Sequence, residues 1–235
     1  MFNEKDFPFL AEKGHVVSFV GGGGKTTLMY AMATCCARKG WRVLAATTTH
    51  IMQPPGGVWA QTAAERDMLW NCGSYAVAGS AASDEKLTTP PPEQLKQWMR
   101  LADTTFIEAD GAKCRPCKAP AAHEPVLLPQ SDIVIAVAGA SALGKPLQEV
   151  CFRTELAAAL LRVPVNILLT PELLAALLAD KNGGRKAVGS RSFYVIINQV
   201  DTDERRASAG KAADILREMY HLPCILTHFE EGERA

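Results

Sequence analysis

The chain has 235 residues with 25 basic and 25 acidic side chains, so its formal net charge is zero. That balance argues against a nucleic-acid-binding surface, which usually shows as an excess of clustered lysine and arginine. No long stretch lacks both charge and proline, and the first residues carry no apolar segment. We therefore expect neither a membrane span nor a secretory signal peptide. Seven cysteines, an odd number, fit a reducing cytoplasm better than a disulfide framework.

Strand and helix patterns alternate along the chain, which predicts an α/β fold with a mostly parallel sheet and helices on both faces. In the first half we predict strands at 16–20, 43–46, 75–78 and 104–109, helices at 26–39, 62–71 and 93–101, and a proline–glycine loop at 54–57. In the second half we predict strands at 133–138, 193–197 and 224–227, and helices at 153–162, 171–180 and 203–220. We expect a three-layer, P-loop NTPase-like fold forming a single nucleotide-binding domain over residues 1–235, with loop elaborations near 50–95 and 111–130.

The first predicted strand runs into four glycines and a lysine, after which a helical pattern begins. Glycines let backbone N–H groups approach an anion closely, and a helix N-terminus adds unsatisfied donors and a positive dipole end. The pattern predicts a phosphate loop made of Gly21, Gly22, Gly23, Gly24, Lys25, Thr26 and Thr27. We expect Lys25 to contact the β- and γ-phosphates of ATP or GTP, and the Thr26 hydroxyl to bind Mg²⁺.

The spacing of this loop differs from the common G-x-x-x-x-G-K-[ST] motif, because position 19 is Phe19 rather than glycine. Two interpretations remain open. One is a shorter loop, Gly21-x-x-Gly24-Lys25-Thr26, which resembles that of Mur-ligase-like ATP enzymes. The other is a Walker A loop that has lost its first glycine.

Acidic residues end the strand predicted at 104–109. Glu108 and Asp110 are two positions apart, so they share a face of a continuing strand. The carboxyl end of a parallel strand beside a phosphate loop is where a Walker B carboxylate holds Mg²⁺. We expect Lys25, Glu108 and Asp110 to be catalytic, and we prefer Asp110 as the metal ligand that accompanies Thr26.

A segment rich in charge and proline follows Asp110. A lid or a substrate-binding loop is one interpretation, because such a segment can sense a γ-phosphate or neutralise transition-state charge. A solvated basic loop is the other. The candidate residues are Lys113, Arg115, Lys118, His123 and Glu124, joined by Thr48 and His50 from the Thr-Thr-Thr-His run at the end of the second strand. Cys114 and Cys117 form a C-x-x-C pair, but a zinc site would need more than His123 beside them.

Asn198, Gln199, Val200 and Asp201 follow the penultimate predicted strand. They resemble the N-K-x-D base-recognition motif of GTP-binding proteins, with Gln199 in place of the lysine. The Asn198 amide can pair with a purine edge, and Asp201 can accept from guanine N–H groups. Asp201 can equally cap the helix at 203–220, so this pattern does not decide between ATP and GTP.

Together, the stretches F-V-G-G-G-G-K-T-T, T-T-T-H and E-A-D-G-A-K…K-A-P…H-E-P resemble the YqeC family, from Val16 to Asp201. The resemblance implies an accessory protein for selenium-dependent molybdenum hydroxylases, with a client hydroxylase or its cofactor as a partner. The loop around Arg115 departs from the family pattern, because Cys114 and Cys117 stand where we expect glycine and an aliphatic residue.

Three functions fit these observations. The leading one is a Mg²⁺-dependent nucleoside triphosphate hydrolase that acts as a cytoplasmic maturation factor. The second is an ATP-dependent ligase or kinase that activates a small molecule during selenium or molybdenum cofactor assembly. The third is a nucleotide-binding scaffold with negligible turnover. We expect neither nucleic acid nor membrane among the partners.

Overall fold

The computed structural model describes residues 2–54, 59–83 and 85–229. Its strands are β1 (Val16–Gly21), β2 (Val43–Thr47), β3 (His50–Met52), β4 (Ala76–Val77), β5 (Ser80–Ser83), β6 (Lys86–Thr88), β7 (Thr104–Glu108), β8 (Cys117–Lys118), β9 (Ile133–Gly139), β10 (Cys151–Phe152), β11 (Ser192–Asn198) and β12 (Cys224–Leu226). Its α-helices are α1 (Lys25–Arg38), α2 (Ala63–Asn71), α3 (Pro92–Leu101), α4 (Leu147–Val150), α5 (Thr154–Leu161), α6 (Pro171–Ala179) and α7 (Asp203–Tyr220).

Seven strands form one sheet in the order β12-β11-β9-β1-β7-β2-β4, and each neighbouring pair is parallel. The central strands are buried along almost their whole length, because helices cover both faces. Uninterrupted apolar runs such as Ile133–Gly139 are typical of strands in this position.

The side-chain alternation of the strands separates the core into layers on the two faces of the sheet. On one face, Phe19 and Ile135 pack in the same cluster as Leu28 and Met32 of α1. On the other face, Ala136 of β9 packs with apolar residues of α5, α6 and α7, while α3 covers β2 and β7 nearby. The predicted α/β fold with a mostly parallel sheet and helices on both faces is confirmed.

The structure differs from the sequence prediction mainly in its short elements. The region near 50–95 contains a second sheet, in which β6 pairs antiparallel with both β3 and β5. Strands β8 and β10 form a further two-stranded sheet. These strands have two to four residues each, too few to show a periodicity that sequence reading detects. Most of the loop predicted at 54–57 lies outside the described residues.

Among the described residues, no helix is long and apolar enough to cross a membrane.

Candidate functional site

The candidate site lies where the parallel strands end at one edge of the sheet. Glu108 is in register with Thr47 of β2 and with Phe19 of β1, so the end of β7 lies beside the start of the glycine loop. Asn198 at the end of β11 is in register with Gly139 at the end of β9. In open α/β sheets, ligands bind at this carboxyl edge.

The four glycines form a tight turn between β1 and α1. Gly23 has a φ of +77°, and a Cβ there would lie 2.1 Å from the backbone nitrogen of Gly139. Gly24, the N-cap of α1, has a φ of +109°. Both positions therefore require glycine, for backbone conformation and, at Gly23, for space.

The N–H groups of the first three glycines are already used within the protein. Gly21 donates to both carboxylate oxygens of Asp110 at 3.1 Å, Gly22 to the Val137 carbonyl at 2.8 Å, and Gly23 to the Arg115 carbonyl at 3.1 Å. The first turn of α1 begins immediately afterwards, and its N–H groups have no acceptor within the helix. The anion-binding capacity of the loop thus lies at Gly24 and the first residues of α1, rather than along the whole glycine run.

Lys25 is the centre of a buried ionic cluster. Its ammonium group donates to the Gly21 carbonyl at 2.6 Å and lies 3.2 Å from Asp110 Oδ1 and 3.6 Å from Glu108 Oε1. Burial lowers the pKa of Lys25, but the Asp110 and Glu108 carboxylates outweigh burial and raise it. Lys25 is therefore a cation at neutral pH.

The Thr26 hydroxyl donates to Glu108 Oε2 at 2.6 Å. Burial raises the pKa of Glu108, and the Asp110 charge adds to this rise, although Lys25 and Thr26 oppose it. A hydroxyl and a carboxylate side by side at a helix N-terminus fit Mg²⁺, which takes one or two protein oxygens and completes its shell with phosphate oxygens and water. Among the described residues, no group of three or more His, Cys, Asp or Glu side chains is placed to hold a metal ion.

The ionic cluster continues away from the glycine loop. Lys118 lies 2.9 Å from Asp110 and 2.7 Å from Glu124, and donates to the Gly111 carbonyl at 2.6 Å. Arg153 contacts Glu124 through both terminal nitrogens. Burial alone would raise the pKa of Glu124, but the hydrogen bonds from Arg153 and Lys118 lower it to about 2. A continuous chain of alternating charges therefore connects Lys25 to Arg153.

The residues predicted as a lid or substrate loop have different positions. His50, Lys113, Arg115 and Glu124 line a groove beside the glycine loop, whereas Lys118 is buried behind it. Thr48 donates its hydroxyl to the Val126 carbonyl at 3.0 Å. His123 is exposed and is not part of the groove lining. The segment is thus held in place through Lys118 rather than being a solvated basic loop throughout.

The groove has a volume of about 690 Å³, within the usual range for small-molecule sites. Its lining runs from Gly22 through Thr27, includes Glu108, and continues to Phe152 and Arg153. A second pocket of about 340 Å³ adjoins it and shares Gly24, Thr27 and Gln199. Both spaces therefore border the start of α1.

The second pocket is lined by Asn198, Gln199 and Asp201. Asn198 is buried; its amide donates to the Gly23 carbonyl, and its Oδ1 accepts from Thr227 Oγ1, both at 2.9 Å. An amide nitrogen carries two hydrogens, so one remains for a ligand. Asp201 pairs with Arg205, and the cap of α7 is Thr202, which accepts from the Arg205 N–H at 3.2 Å. The alternative that Asp201 caps this helix is therefore wrong.

The sequence analysis missed Phe152, Arg153 and Lys86 as groove residues, because nothing in their local sequence pattern distinguishes them from other residues.

The two thiols of the C-x-x-C pair have different environments. Cys114 is exposed in the groove lining, whereas Cys117 is buried next to Cys151. A hydrogen bond with Cys151, together with burial, raises the pKa of Cys117 well above its ordinary value.

Comparison with known proteins places this site in a family. The YqeC protein family matches residues 17–155, which include the glycine loop, Glu108, Asp110 and Arg153 but not Asn198 or Asp201. The uncharacterized protein YqeC of Escherichia coli (strain K12) is 35% identical over 136 residues, covering 55% of this chain and 53% of the relative. The chain thus spans about half the length of the curated relative it matches. Because the family match covers more than half of the chain, including the glycine loop and the buried ionic cluster, this protein belongs to the YqeC family.

Proposed function

We propose that this protein binds a nucleoside triphosphate with Mg²⁺ and hydrolyses it. The observation that carries the proposal is the contact of Thr26 with Glu108 at 2.6 Å, directly beside Lys25 at the N-terminus of α1. Lys25 and the first N–H groups of the helix supply positive charge for the β- and γ-phosphates. Thr26 and Glu108 supply oxygens for the metal or for its bound water.

Glu108, rather than Asp110, is the better candidate for the metal. Glu108 accepts from Thr26, whereas both oxygens of Asp110 accept from Gly21 and also face Lys25 and Lys118. In this arrangement Asp110 positions the loop and its lysine. The preference drawn from the sequence, that Asp110 holds the metal, is therefore replaced by Glu108.

The biological setting that we propose rests on the resemblance to the YqeC family. It supports a role as an accessory factor in the maturation of a selenium-dependent molybdenum hydroxylase, in which hydrolysis drives delivery or insertion of the cofactor. The seven free cysteines support a reducing compartment such as the cytoplasm. A second candidate function, an ATP-dependent kinase or ligase, is favoured by the extension of the groove beyond the phosphate-binding residues to Phe152 and Arg153.

Calorimetry with ATP and GTP in the presence of Mg²⁺ tests binding, and phosphate and diphosphate release test turnover. Slow release without any further substrate supports the hydrolase. Release only when a client hydroxylase or a small molecule is added supports the kinase or ligase. Binding without release would reduce the protein to a nucleotide-binding scaffold, and no binding of either nucleotide would contradict the proposal.

Glu108→Gln should weaken Mg²⁺ affinity in the nucleotide complex by roughly 10- to 100-fold, as loss of a carboxylate that orients metal-bound water typically does. Nucleotide binding should largely persist, because Lys25 and the helix N-terminus remain. The measurement is phosphate release as a function of Mg²⁺ concentration. Asp110→Asn is the matched comparison and should shift the Mg²⁺ midpoint much less. A larger shift of the Mg²⁺ midpoint in Asp110→Asn than in Glu108→Gln would indicate that Asp110 is the metal ligand.

Asp201→Asn tests the base pocket. If Asp201 accepts from guanine, the substitution should shift preference from GTP towards XTP by roughly ten- to a hundredfold, since a hydrogen bond to a charged group is worth about 1.5–3 kcal/mol. Stability should change little, because the pair with Arg205 is a partly exposed i,i+4 contact. Competition binding with ATP, GTP and XTP is the assay. Unchanged ratios would remove Asp201 from base recognition.

A further inference from the structure

The groove beside the glycine loop is strongly basic, although the chain as a whole has no net charge. Its lining carries the basic residues Lys25, Lys86, Lys113, Arg115 and Arg153, against the carboxylates of Glu108 and Glu124. An excess of one sign in a concave site raises the local concentration of ligands of the opposite charge. The groove therefore selects anions.

The nucleotide accounts for only part of this charge. Lys25 and the N-terminus of α1 serve the phosphates, and the adjoining pocket of about 340 Å³ is available for the base. Lys113 and Arg153 belong to the same lining and both contact the Phe152 ring, 5.4 Å and 4.5 Å from its centroid. The phosphate-binding residues named above do not include Lys113, Phe152 or Arg153, so these three are available to a second ligand.

Lys113 and Arg153 have hydrogen-bond donors to spare. Lys113 is exposed and contacts the Phe152 ring, and within the part of the chain that the structure describes no carboxylate pairs with it. Arg153 gives two of its nitrogens to Glu124, which leaves part of a five-donor guanidinium for a ligand. Donors of this kind fit the oxygens of a carboxylate or a phosphate.

Backbone strain is concentrated in the same lining. Seven non-glycine residues of the described chain have a left-handed backbone, and four of them line the groove: Lys113, Cys114, Arg153 and Gln199. Such conformations persist only where the surroundings enforce them, and they cluster at ligand sites. Arg153, with a φ of +64°, is held by its contacts with Glu124 and Phe152.

We propose that Lys113, Phe152 and Arg153 form a second subsite that binds a small oxyanion-bearing molecule next to the nucleotide. The inference rests on the proposed function, because it makes this molecule the second ligand of the nucleotide site. The subsite binds the carboxylate or phosphate group of that molecule.

Cys114 provides a native reporter of occupancy. Its thiol is exposed in the groove, whereas Cys72 is exposed at the end of α2, outside it. Inorganic phosphate and citrate serve as probes, with sodium chloride of equal ionic strength as the control. In protein saturated with Mg²⁺ and a nucleoside diphosphate, iodoacetamide alkylation of Cys114 should slow roughly tenfold at ten times the dissociation constant of the anion, because only unliganded protein reacts. Cys72 should react unchanged.

Lys113→Gln should remove most of the protection of Cys114 by the anions. Lys96 is an exposed lysine on α3, outside the groove lining, so the control variant Lys96→Gln should keep that protection. Protection by phosphate alone identifies a phosphate-bearing ligand, and protection by citrate alone a carboxylate. No protection by either anion, equal protection of Cys72, or full protection in Lys113→Gln would overturn the subsite.

Failure of the subsite and failure of the nucleotide site can be told apart. In Lys25→Ala protein without nucleotide, protection of Cys114 by the same anions reads the second subsite alone. Protection there, combined with no nucleotide binding to the wild type in calorimetry, contradicts only the proposed function. Nucleotide binding to the wild type without protection of Cys114 contradicts only the subsite.

Discussion

Lys25→Ala should weaken ATP and GTP binding by roughly 30-fold to several thousandfold. Truncating one partner of a buried, hydrogen-bonded charge pair costs about 2–5 kcal/mol in binding, and every 1.4 kcal/mol is tenfold in the dissociation constant. Lys25 is the buried cation at the start of α1, and in the proposed complex it balances the phosphate charge together with the helix N-terminus. Calorimetry with both nucleotides in the presence of Mg²⁺ measures the loss.

Lys25→Ala should also reduce the stability of the folded protein. Lys25 is also the counter-charge of Glu108 and Asp110. Its loss leaves Glu108 with no paired cation among the described residues, while Asp110 keeps Lys118. Glu108 already has a raised pKa through burial, so it can take up a proton in the variant. We therefore expect a folded protein with reduced stability, which thermal unfolding followed by circular dichroism would show.

Lys39→Ala is the matched control, because Lys39 directly follows the same helix but is half-exposed and pairs with Glu4. Nucleotide affinity should be unchanged in that variant. Equal affinity of wild type and Lys25→Ala for both nucleotides would remove the phosphate-loop assignment.

The sequence predicts the parts of this site that depend on strand order. The glycine run after an apolar strand predicts the turn into α1, and a parallel sheet brings the ends of its strands to one edge, which explains why Glu108 and Asp110 lie near Lys25. Asn198 reaches the same edge for the same reason, 175 residues from Gly23 in the chain. These relations need only the alternation of strands and helices.

The pairings inside the site could not be predicted in the same way. Lys118 and Glu124 look like loop residues, and Arg153 stands at the start of a predicted helix, so no periodicity indicates that these three side chains meet. Whether Thr26 contacts Glu108 or Asp110 depends on the backbone path just beyond the end of β7, which the sequence pattern does not give. The use of the Gly21, Gly22 and Gly23 N–H groups by protein acceptors is likewise a property of tertiary contacts.

Lys118→Met should lower the free energy of unfolding by about 3–5 kcal/mol, because removing one partner of a buried ion pair leaves uncompensated charge. Lys118 is 1% exposed and lies between Asp110, 2% exposed, and Glu124, 9% exposed. Methionine keeps the unbranched apolar stem, so the charge is the main change. Chemical denaturation at neutral pH is the measurement, and the expected loss is a large part of the about 5–15 kcal/mol typical of a whole protein.

Two comparisons separate the buried charge from a general effect of losing a lysine. Lys13→Met removes an exposed partner of Asp103, 3.3 Å away, and should cost no more than about 1 kcal/mol.

The loss of stability in Lys118→Met should also shrink as the pH falls from about 4.5 to about 2. The folded-state pKa of Glu124 is depressed to about 2, so its stabilising charge is present above the ordinary carboxyl pKa and is lost as the pH falls through the folded value. Protonated Glu124 carries no charge for Lys118 to balance. The difference in the free energy of unfolding between wild type and variant therefore becomes smaller. A cost at neutral pH no larger than that of Lys13→Met, or a difference that stays constant down to pH 2, would show that Lys118 does not hold the ionic cluster together.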